Sequence, residues 1–429
     1  MGKYKNEIWI STGAGQSRRQ RASGPYRSYI PTLLNERDLS LDADVVGDVA
    51  AAQTSIALLN KNASLVANTE GLARLLMRAE AVSSSHIEGL TIGTRRLLRA
   101  EMALAGQEGF KADANAVVVV GNVKAMENAL SSALEEETVT ADVVLRIHRS
   151  LCQGTPIERF GGKIRTVQNW VGGSSYNPLS ADYVPPAPEY IGELLDDLAA
   201  FCNRTDISPV EQAAVAHAQF ETIHPFVDGN GRTGRALIHL ILRRRGIAPR
   251  FVPPISLALA THSEDYVAGL VGFRYDDADP LEVVRQNFND WVSTFAGCCS
   301  AACDEAYEFE RATENIKRSW SERIAPIRKG SIVSEAMDAI VAMPIFTVKS
   351  LAEHCGKSFA TVNAFVASLE EAGCVKLAKQ GKRNRVFEAP EVIDEFNILE
   401  RKLASPAGNT SVELPVRPVP ENLDKVRRR

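Results

Sequence analysis

The sequence predicts a mostly helical fold with one β-hairpin and a C-terminal winged helix-turn-helix domain. Apolar residues recur at three- and four-residue spacing through most of residues 44–325, as on one face of a helix. Residues 161–188 depart from this pattern, because Gly-Gly and Asn-Pro turn signals are flanked there by extended residues. From about residue 329 the order is helix, turn, helix and two short strands.

The elements before the hairpin follow from composition and spacing. Residues 1–24 are rich in Gly, Ser and Arg, which predicts a flexible arm. Residues 25–110 form an N-terminal helical region, with periodic stretches such as GLARLLMRAEAV. Residues 111–325 are the predicted core domain, which begins with ANAVVVVGNVKAMENALSSALEE. The valines of that stretch resemble a strand, but its length and its Ala and Glu content favour a buried helix.

Two helices flank a glycine-rich loop in the core. The first is SPVEQAAVAHAQFETI, for which we predict Ser208 as the N-cap and Glu211 as the partner that completes a capping box. His224-Pro225 ends this helix, because proline disfavours helical backbone at the residue before it. The second helix starts in the loop and runs to Arg245, where a glycine follows.

Residues 326–404 are the predicted winged helix-turn-helix domain, and residues 405–429, rich in Pro and Arg, are a predicted disordered tail. The second helix of the domain, SFATVNAFVASLEEAG, has no Lys or Arg, which disfavours base readout. Basic residues that favour phosphate contact cluster at the predicted wing instead. They are Lys376, Lys379, Lys382, Arg383 and Arg385. DNA binding, protein docking or homodimerisation, and a passive structural role all remain open for this domain.

Composition excludes several classes of protein. Apolar residues make up 45% and charged residues 24%, with a net charge of −4, so nothing global indicates binding to nucleic acid or an anionic membrane. The seven cysteines form neither a disulfide framework nor a zinc spacing. The sequence shows no signal peptide and no apolar run that spans a bilayer. We therefore expect a cytoplasmic protein without a membrane partner, unless a dedicated secretion machine exports it.

The stretch HPFVDGNGRTGR, residues 224–235, combines groups suited to phosphate chemistry. Backbone N–H groups in a glycine-rich turn at a helix N-terminus bind phosphate. A carboxylate oxygen suits Mg²⁺, and arginines one turn apart fork onto polyphosphate oxygens. Histidine is a neutral base near pH 7, so the stretch predicts a metal–nucleotide site with a base for an incoming hydroxyl. The candidate residues are His224, Asp228, Gly229, Asn230, Gly231, Arg232 and Arg235.

At these residues the sequence resembles the Fic/Doc family, whose motif HPFx(D/E)GNGRxxR is matched at every fixed position. We extend the resemblance over about residues 25–310. It implies a Fic-type helical fold with a β-hairpin flap. It also implies transfer of AMP from ATP to a Ser, Thr or Tyr hydroxyl of a protein, with release of pyrophosphate.

The resemblance implies a role for each residue of the motif. His224 deprotonates the target hydroxyl, and Asp228 holds Mg²⁺ against the α- and β-phosphates. Residues 229–231 cradle phosphate oxygens. Arg232 stabilises the developing charge, and Arg235 binds the γ-phosphate.

The resemblance also implies a binding role for the flap, residues 167–184. The target protein adds to it as an extra strand, and a plain surface hairpin is the alternative. Lys163 and Arg165 precede the flap, where they either contact phosphate or solvate a strand.

A second motif, SSSHIEGL, places Ser84 and Glu88 four residues apart, so that they share one face of a helix. This resembles the inhibitory motif (S/T)xxxE(G/N) of the family, in which Glu88 pairs with Arg235 and blocks placement of the γ-phosphate. A capping box formed by Ser85 and Glu88 is the alternative. In some family members the same glutamate supports removal of AMP, and the sequence leaves open whether this chain does so.

The resulting hypothesis is a self-inhibited protein adenylyltransferase that uses Mg²⁺ and ATP and modifies a target protein and itself. One alternative is a Fic-type transferase with another nucleotide or phosphoryl donor, because the motif specifies phosphate geometry better than base identity. The other is a winged-helix DNA-binding regulator whose Fic core senses nucleotide.

Overall fold

The computed structural model describes residues 2–62, 70–107, 110–324, 333–379 and 385–402. Most of these residues are helical, as the apolar spacing predicts. The helices are α1 (Ala43–Asn62), α2 (Glu70–Ile87), α3 (Thr94–Leu104), α4 (Ala114–Glu135), α5 (Ala141–Cys152), α6 (Ile191–Cys202), α7 (Pro209–Ile223), α8 (Asn230–Arg244), α9 (Ile255–Thr261), α10 (Ser263–Gly272), α11 (Leu281–Arg323), α12 (Val333–Ala342), α13 (Val348–Cys355), α14 (Phe359–Glu371) and α15 (Pro390–Lys402). The strands are β1 (Lys3–Trp9), β2 (Gly24–Ile30), β3 (Ile345–Thr347), β4 (Lys376–Lys379) and β5 (Val386–Glu388).

The chain divides into two compact units, each built from segments that are distant in sequence. The first comprises Met1–Thr54, Lys124–Pro249 and Glu264–Gly297, and the second comprises Ser55–Val123, Arg250–Ser263 and Cys298–Arg429. These divisions differ from the predicted domain boundaries, which followed the order of the sequence. Within the described ranges, no helix combines the length and the apolar character needed to cross a membrane. All seven cysteines are buried free thiols.

Helices α7 and α8 pack against each other in the core of the first unit. Nearly all of their residues are buried, and alanine is the most frequent residue of α7. Trp291 of α11 is completely buried and donates its indole N–H to the carbonyl of Ala214 at 3.0 Å. Because α7 is buried on every side, it lacks the polar face of an amphipathic surface helix. The packed pair holds both ends of the glycine loop.

The start of α7 agrees with the prediction in position and in part of the predicted cap. The helix begins at Pro209, directly after Ser208. The Ser208 side chain makes no cap hydrogen bond, and its hydroxyl donates to Oε1 of Gln53 at 3.0 Å. The predicted capping box is therefore only half present: Glu211 accepts from the backbone N–H of Ser208, whereas a tertiary contact takes the hydroxyl that would have capped the helix.

The N-terminal residues form a strand pair where we predicted a flexible arm over residues 1–24. β1 pairs with β2 in antiparallel register, from Lys3 opposite Ile30 to Trp9 opposite Gly24. The prediction was therefore wrong for β1. Exposure alternates along KYKNEIW, but its half-buried residues are Lys5, Glu7 and Trp9, so no apolar alternation in the sequence marks the inner face of this strand.

The C-terminal elements form a three-stranded antiparallel sheet in the order β3-β5-β4, with α13 and α14 before the β4–β5 pair. Thr347 starts α13 in a capping box, and Gly356 ends it with φ of 60°. The predicted order of helix, turn, helix and two strands agrees with these elements, whereas the winged-helix assignment stays a prediction. The predicted wing residues Lys382 and Arg383 and the tail 405–429 lie outside the described residues.

The second unit joins these C-terminal elements to the N-terminal helices. Leu98 of α3 packs with Ile345, Val386 and Ile393, which belong to β3, β5 and α15. Arg78 of α2 also donates a hydrogen bond to the backbone carbonyl of the last residue of α12. The C-terminal elements therefore pack against α2 and α3. The sequence gives no sign of this packing, because the two segments are far apart in it.

Candidate active site

His224 lies directly after α7, and its backbone places the side chain at the start of the glycine loop. Its φ and ψ are 49° and 58°, and it is the one non-glycine residue of the described chain with positive φ. Its N–H closes the helix by donating to the carbonyl of Phe220 at 2.9 Å. About 20% of the side chain is exposed, and Nδ1 lies 3.9 Å from Oε2 of Glu221. Such left-handed backbone at a histidine is typical of a constrained functional position.

Arg165 holds the backbone around His224. Its Nε donates to the His224 carbonyl at 2.9 Å, and its own N–H donates to the carbonyl of Pro225 at 2.9 Å. The guanidinium also bonds the carbonyls of Val167 and Pro186. Only 2% of Arg165 is exposed, and burial lowers its pKa to about 10, so it stays charged at neutral pH. We call this buried side chain, with its hydrogen bonds to the surrounding carbonyls, the Arg165 clamp. Neither role that we predicted for Arg165, phosphate contact or strand solvation, describes these contacts.

Asn169 and Asn230 close the loop on itself. The side-chain N–H of Asn169 donates to the carbonyl of Phe226 at 2.9 Å. Asn230 accepts from the Phe226 N–H at 2.9 Å and donates to the Phe226 carbonyl at 2.9 Å. Both polar atoms of the Asn230 side chain are thus used within the protein, which leaves only its backbone N–H for a phosphate.

The N-terminus of α8 presents the predicted anion-binding donors. Gly229 has φ of 81°, and its carbonyl accepts the first helical hydrogen bond, from Thr233 at 3.1 Å. The N–H groups of Asn230 and Gly231 precede this bond, in the first turn, where a helix supplies no partners of its own. The N–H of Gly229 donates to Oδ1 of Asp228 at 2.5 Å. The structure therefore gathers the predicted donors and the carboxylate at one helix end, which favours binding of an anion.

Arg232 and Arg235 follow one turn apart on α8. Arg232 is 3% exposed and Arg235 is 1% exposed. Nη2 of Arg232 lies 3.6 Å from Oδ1 of Asp228. Buried guanidinium groups are retained where they meet negative charge. Both arginines belong to the helix that starts at the loop, and their contacts to phosphate stay a prediction.

Asp228 is the one predicted metal ligand, and 58% of its side chain is exposed. Within the described residues, no group of three or more His, Cys, Asp and Glu side chains is arranged to hold a metal ion. A single exposed carboxylate fits Mg²⁺ that keeps several waters and takes phosphate oxygens as its other ligands. The donor set therefore fits a metal delivered with a nucleotide.

The predicted flap differs from a regular hairpin. Val171 and Tyr183 form one isolated antiparallel bridge, in which the N–H of Val171 donates at 2.8 Å. Gly173 has φ of 68°, and a Cβ there would lie 2.1 Å from the carbonyl oxygen of Ser180. The consecutive prolines after Val184 have no N–H to extend a ladder. Residues 167–184 are therefore a loop closed by one bridge.

Aromatic and backbone contacts anchor this loop. The hydroxyl of Tyr183 donates to the carbonyl of Thr222 in α7 at 2.6 Å. The N–H of Tyr29 in β2 donates to the carbonyl of Val184 at 2.9 Å. Trp170 meets Trp9 of β1 edge to face, with ring centroids 5.4 Å apart. These anchors tie the flap to α7 and to the N-terminal strands.

The predicted inhibitory residues belong to the second unit. Ser84 is completely buried in the last turn of α2, and Glu88 is exposed in the turn after Ile87. Ser85 lies inside the helix, where its hydroxyl donates to the carbonyl of Ala81 at 2.8 Å. The alternative capping box of Ser85 and Glu88 is therefore excluded, because the helix ends here and does not begin here.

Two family models match the chain. The Fic/DOC family model matches residues 138–242, and the Fic/DOC family N-terminal model matches residues 46–131. Protein adenylyltransferase fic-1 of Caenorhabditis elegans is 30% identical over 261 residues, which are 59% of this chain and 45% of that protein. Protein adenylyltransferase Fic of Drosophila erecta is 33% identical over 174 residues, or 39% of this chain and 32% of that protein. The chain thus spans less than half of the length of these relatives.

Solved structures also resemble the chain. A Fic family protein from Desulfovibrio desulfuricans has a TM-score of 0.48 at 18% identity, with 81% of this chain and 97% of that chain covered. A fragment of Fic-1 from C. elegans has a TM-score of 0.46 at 25% identity, with 63% and 74% covered.

Proposed function

Because the chain belongs to the Fic/DOC family, we propose that it is a protein adenylyltransferase, which moves AMP from ATP to a hydroxyl group of a protein. The observation that carries this proposal is that one short loop joins His224, at the end of α7, to the amide groups that begin α8. A base and an anion site at the two ends of one short loop suit a reaction at a phosphate. The relatives named protein adenylyltransferase support the same reaction.

In the proposed reaction, the hydroxyl oxygen of a Ser, Thr or Tyr attacks the α-phosphorus of ATP. A new P–O bond forms as the bond to the oxygen that bridges the α- and β-phosphorus breaks, and pyrophosphate leaves with the electron pair. His224 takes the hydroxyl proton, and a positioned general base typically contributes ~10²–10⁴-fold to the rate. Arg232 stabilises the charge that develops, and Arg235 binds the γ-phosphate.

Asp228 holds Mg²⁺ in this proposal. The bound metal supplies neutralisation of the phosphate charge. The amide groups of residues 229–231 bind phosphate oxygens, and the Arg165 clamp keeps the base in place. The target protein lies along residues 167–184, where the exposed side chains of Val167 and Val171 offer apolar contact.

We further propose that Glu88 inhibits the enzyme by pairing with Arg235 in competition with the γ-phosphate. Ser84 is fully buried in the last turn of α2, and the turn that follows carries Glu88. Gly89, with φ of 76°, makes this turn possible without backbone strain. Substitution of Glu88 should therefore release the inhibition.

The test is incubation of Glu88→Gly with Mg²⁺ and ATP labelled at the α-phosphate, with the double variant Glu88→Gly/His224→Ala as the control. We expect label on protein that requires His224 and that is much weaker in the wild-type chain. Transfer only from γ-labelled ATP would replace the proposal with a phosphoryl transferase. Absence of label on protein with both α- and γ-labelled ATP would refute adenylyl transfer from ATP. It would favour another donor or a regulatory role.

A further inference from the structure

His148 in α5 lies outside the motif, and its imidazole is completely buried against the glycine loop. Its Nδ1 accepts a hydrogen bond from the N–H of Gly162 at 3.0 Å. Its Nε2 lies 3.0 Å from the carbonyl oxygen of Asp228. Because Nδ1 is an acceptor, the proton of the neutral ring is on Nε2, which therefore donates to Asp228.

The ring also touches the loop through its face. It stacks on Phe226 with ring centroids 3.7 Å apart and an angle of 7° between the planes. The Sγ of Cys152 lies 3.3 Å from Nε2, where it is at most a weak acceptor. One imidazole thus contacts both Phe226 and Asp228 and ties them to the backbone at Gly162.

The bond to Asp228 determines where an amide group points. The carbonyl of Asp228 and the N–H of Gly229 belong to one planar trans peptide, so they point in opposite directions. While the carbonyl faces His148, the Gly229 N–H faces the other side, where it meets Oδ1 of Asp228 at 2.5 Å. Gly229 alone would not maintain this orientation, because glycine tolerates many backbone conformations.

We propose that His148 is a positioning residue of the anion site: its Nε2–H orients the Asp228–Gly229 peptide so that the Gly229 N–H points away from His148, toward the side where it now meets Oδ1 of Asp228 and where a phosphate oxygen replaces that contact. The identity of that phosphate as part of ATP rests on the proposed function. The orientation itself depends only on contacts within the first unit.

Two substitutions separate this role from simple packing. His148→Gln places an amide N–H where Nε2 was and loses the acceptor for Gly162. His148→Asn places an oxygen where Nδ1 was and loses the donor to Asp228. Each removes one buried hydrogen bond, so we expect similar decreases in the thermal midpoint of unfolding. We expect the dissociation constant of Mg²⁺–ATP, measured by calorimetry on the full chain, to rise about 10-fold in the His148→Asn variant. In the His148→Gln variant the same constant should change less than about 3-fold.

Equal weakening of ATP binding in both variants would overturn the proposal and reduce His148 to a structural residue. A measurement on the wild-type chain needs no variant: nitrogen NMR of labelled histidine should show the Nε2–H tautomer at His148. The Nδ1–H tautomer would also overturn the proposal. A Glu88→Gly chain that binds Mg²⁺–ATP but transfers no AMP would refute the proposed function alone, whereas failure of that variant to bind Mg²⁺–ATP would refute both.

Discussion

Substitution of Gly229 by Ala tests the glycine loop, because two independent costs are expected at this position. Gly229 has φ of 81° and ψ of 13°, and left-handed backbone costs an alanine about 1–2 kcal/mol. The new Cβ would also lie 2.8 Å from Cδ2 of Leu151, and overpacking of this kind adds about 1–3 kcal/mol. We therefore expect the free energy of unfolding to fall by about 2–5 kcal/mol.

Gly246→Ala is the matched control. Gly246 has φ of 75°, and no atom of the described chain lies within 4 Å of a Cβ added there. Only the backbone cost of about 1–2 kcal/mol applies, so Gly229→Ala should be more destabilising by the overpacking cost. Denaturant unfolding at a temperature where both variants are folded measures this difference.

The two variants should also differ in function. Gly229→Ala displaces the start of the anion site, so binding of Mg²⁺–ATP should weaken at least 10-fold, about 1.4 kcal/mol, in the fully folded population. Gly246→Ala should bind like the wild-type chain. Equal stability losses in the two variants would refute the steric reasoning, and unchanged ATP binding by Gly229→Ala would refute its role at the anion site.

Three further perturbations have defined outcomes. Arg165→Met removes the donor of three backbone carbonyls, of which that of Pro186 is buried, so unfolding should become easier by about 2–5 kcal/mol and kcat should fall about 10²-fold as the base moves. The exposed Lys124→Met in α4 is the control and should change neither quantity, so equal effects would contradict this role of Arg165. Asn230→Asp replaces the donor to the Phe226 carbonyl with an acceptor and adds negative charge near the proposed phosphate position. Calorimetry should therefore show at least 10-fold weaker ATP binding, and unchanged affinity would refute this arrangement. Burial, and next the charge of Arg235, lower the pKa of His217 from 6.5 to about 3, so the unfolded chain binds a proton there that the folded chain does not. The free energy of unfolding should therefore fall by about 1.4 kcal/mol per pH unit from this group as the pH decreases from 6.5 toward 3, and His217→Gln should reduce that slope; an unchanged slope would contradict the shift.

The helices around the site could be predicted because their causes are local. Apolar spacing, Pro209 at a helix start and His224-Pro225 at a helix end act within a few residues. The same holds for the loop, in which two glycines next to a helix start determine a compact turn whose amide groups suit an anion. The motif therefore identified the residues of the candidate site before any contact was known.

The supporting residues could not be predicted because their partners are distant in sequence and carry no signature. Arg165 bonds the carbonyls of His224 and Pro186, and every residue has a carbonyl that could accept such a bond. His148 bonds backbone groups at Gly162 and Asp228, which again have no side-chain signal. Only the folded chain determines which backbone groups these side chains meet.

The sequence alone determined the helical class, the positions of α7 and α8, and the chemical groups of the loop between them, since local spacing and backbone preferences set these features. Tertiary structure decided the rest. It turned the expected arm into β1, reduced the expected hairpin to one bridge and assigned the Ser208 hydroxyl to Gln53. For β1 and Ser208, a contact between segments distant in sequence wins over a local preference, because burial and hydrogen bonds formed on folding exceed the small energies of local propensity. In the flap, the prolines after Val184 stop the ladder, and the contacts of Tyr183 and Val184 with distant segments hold the loop.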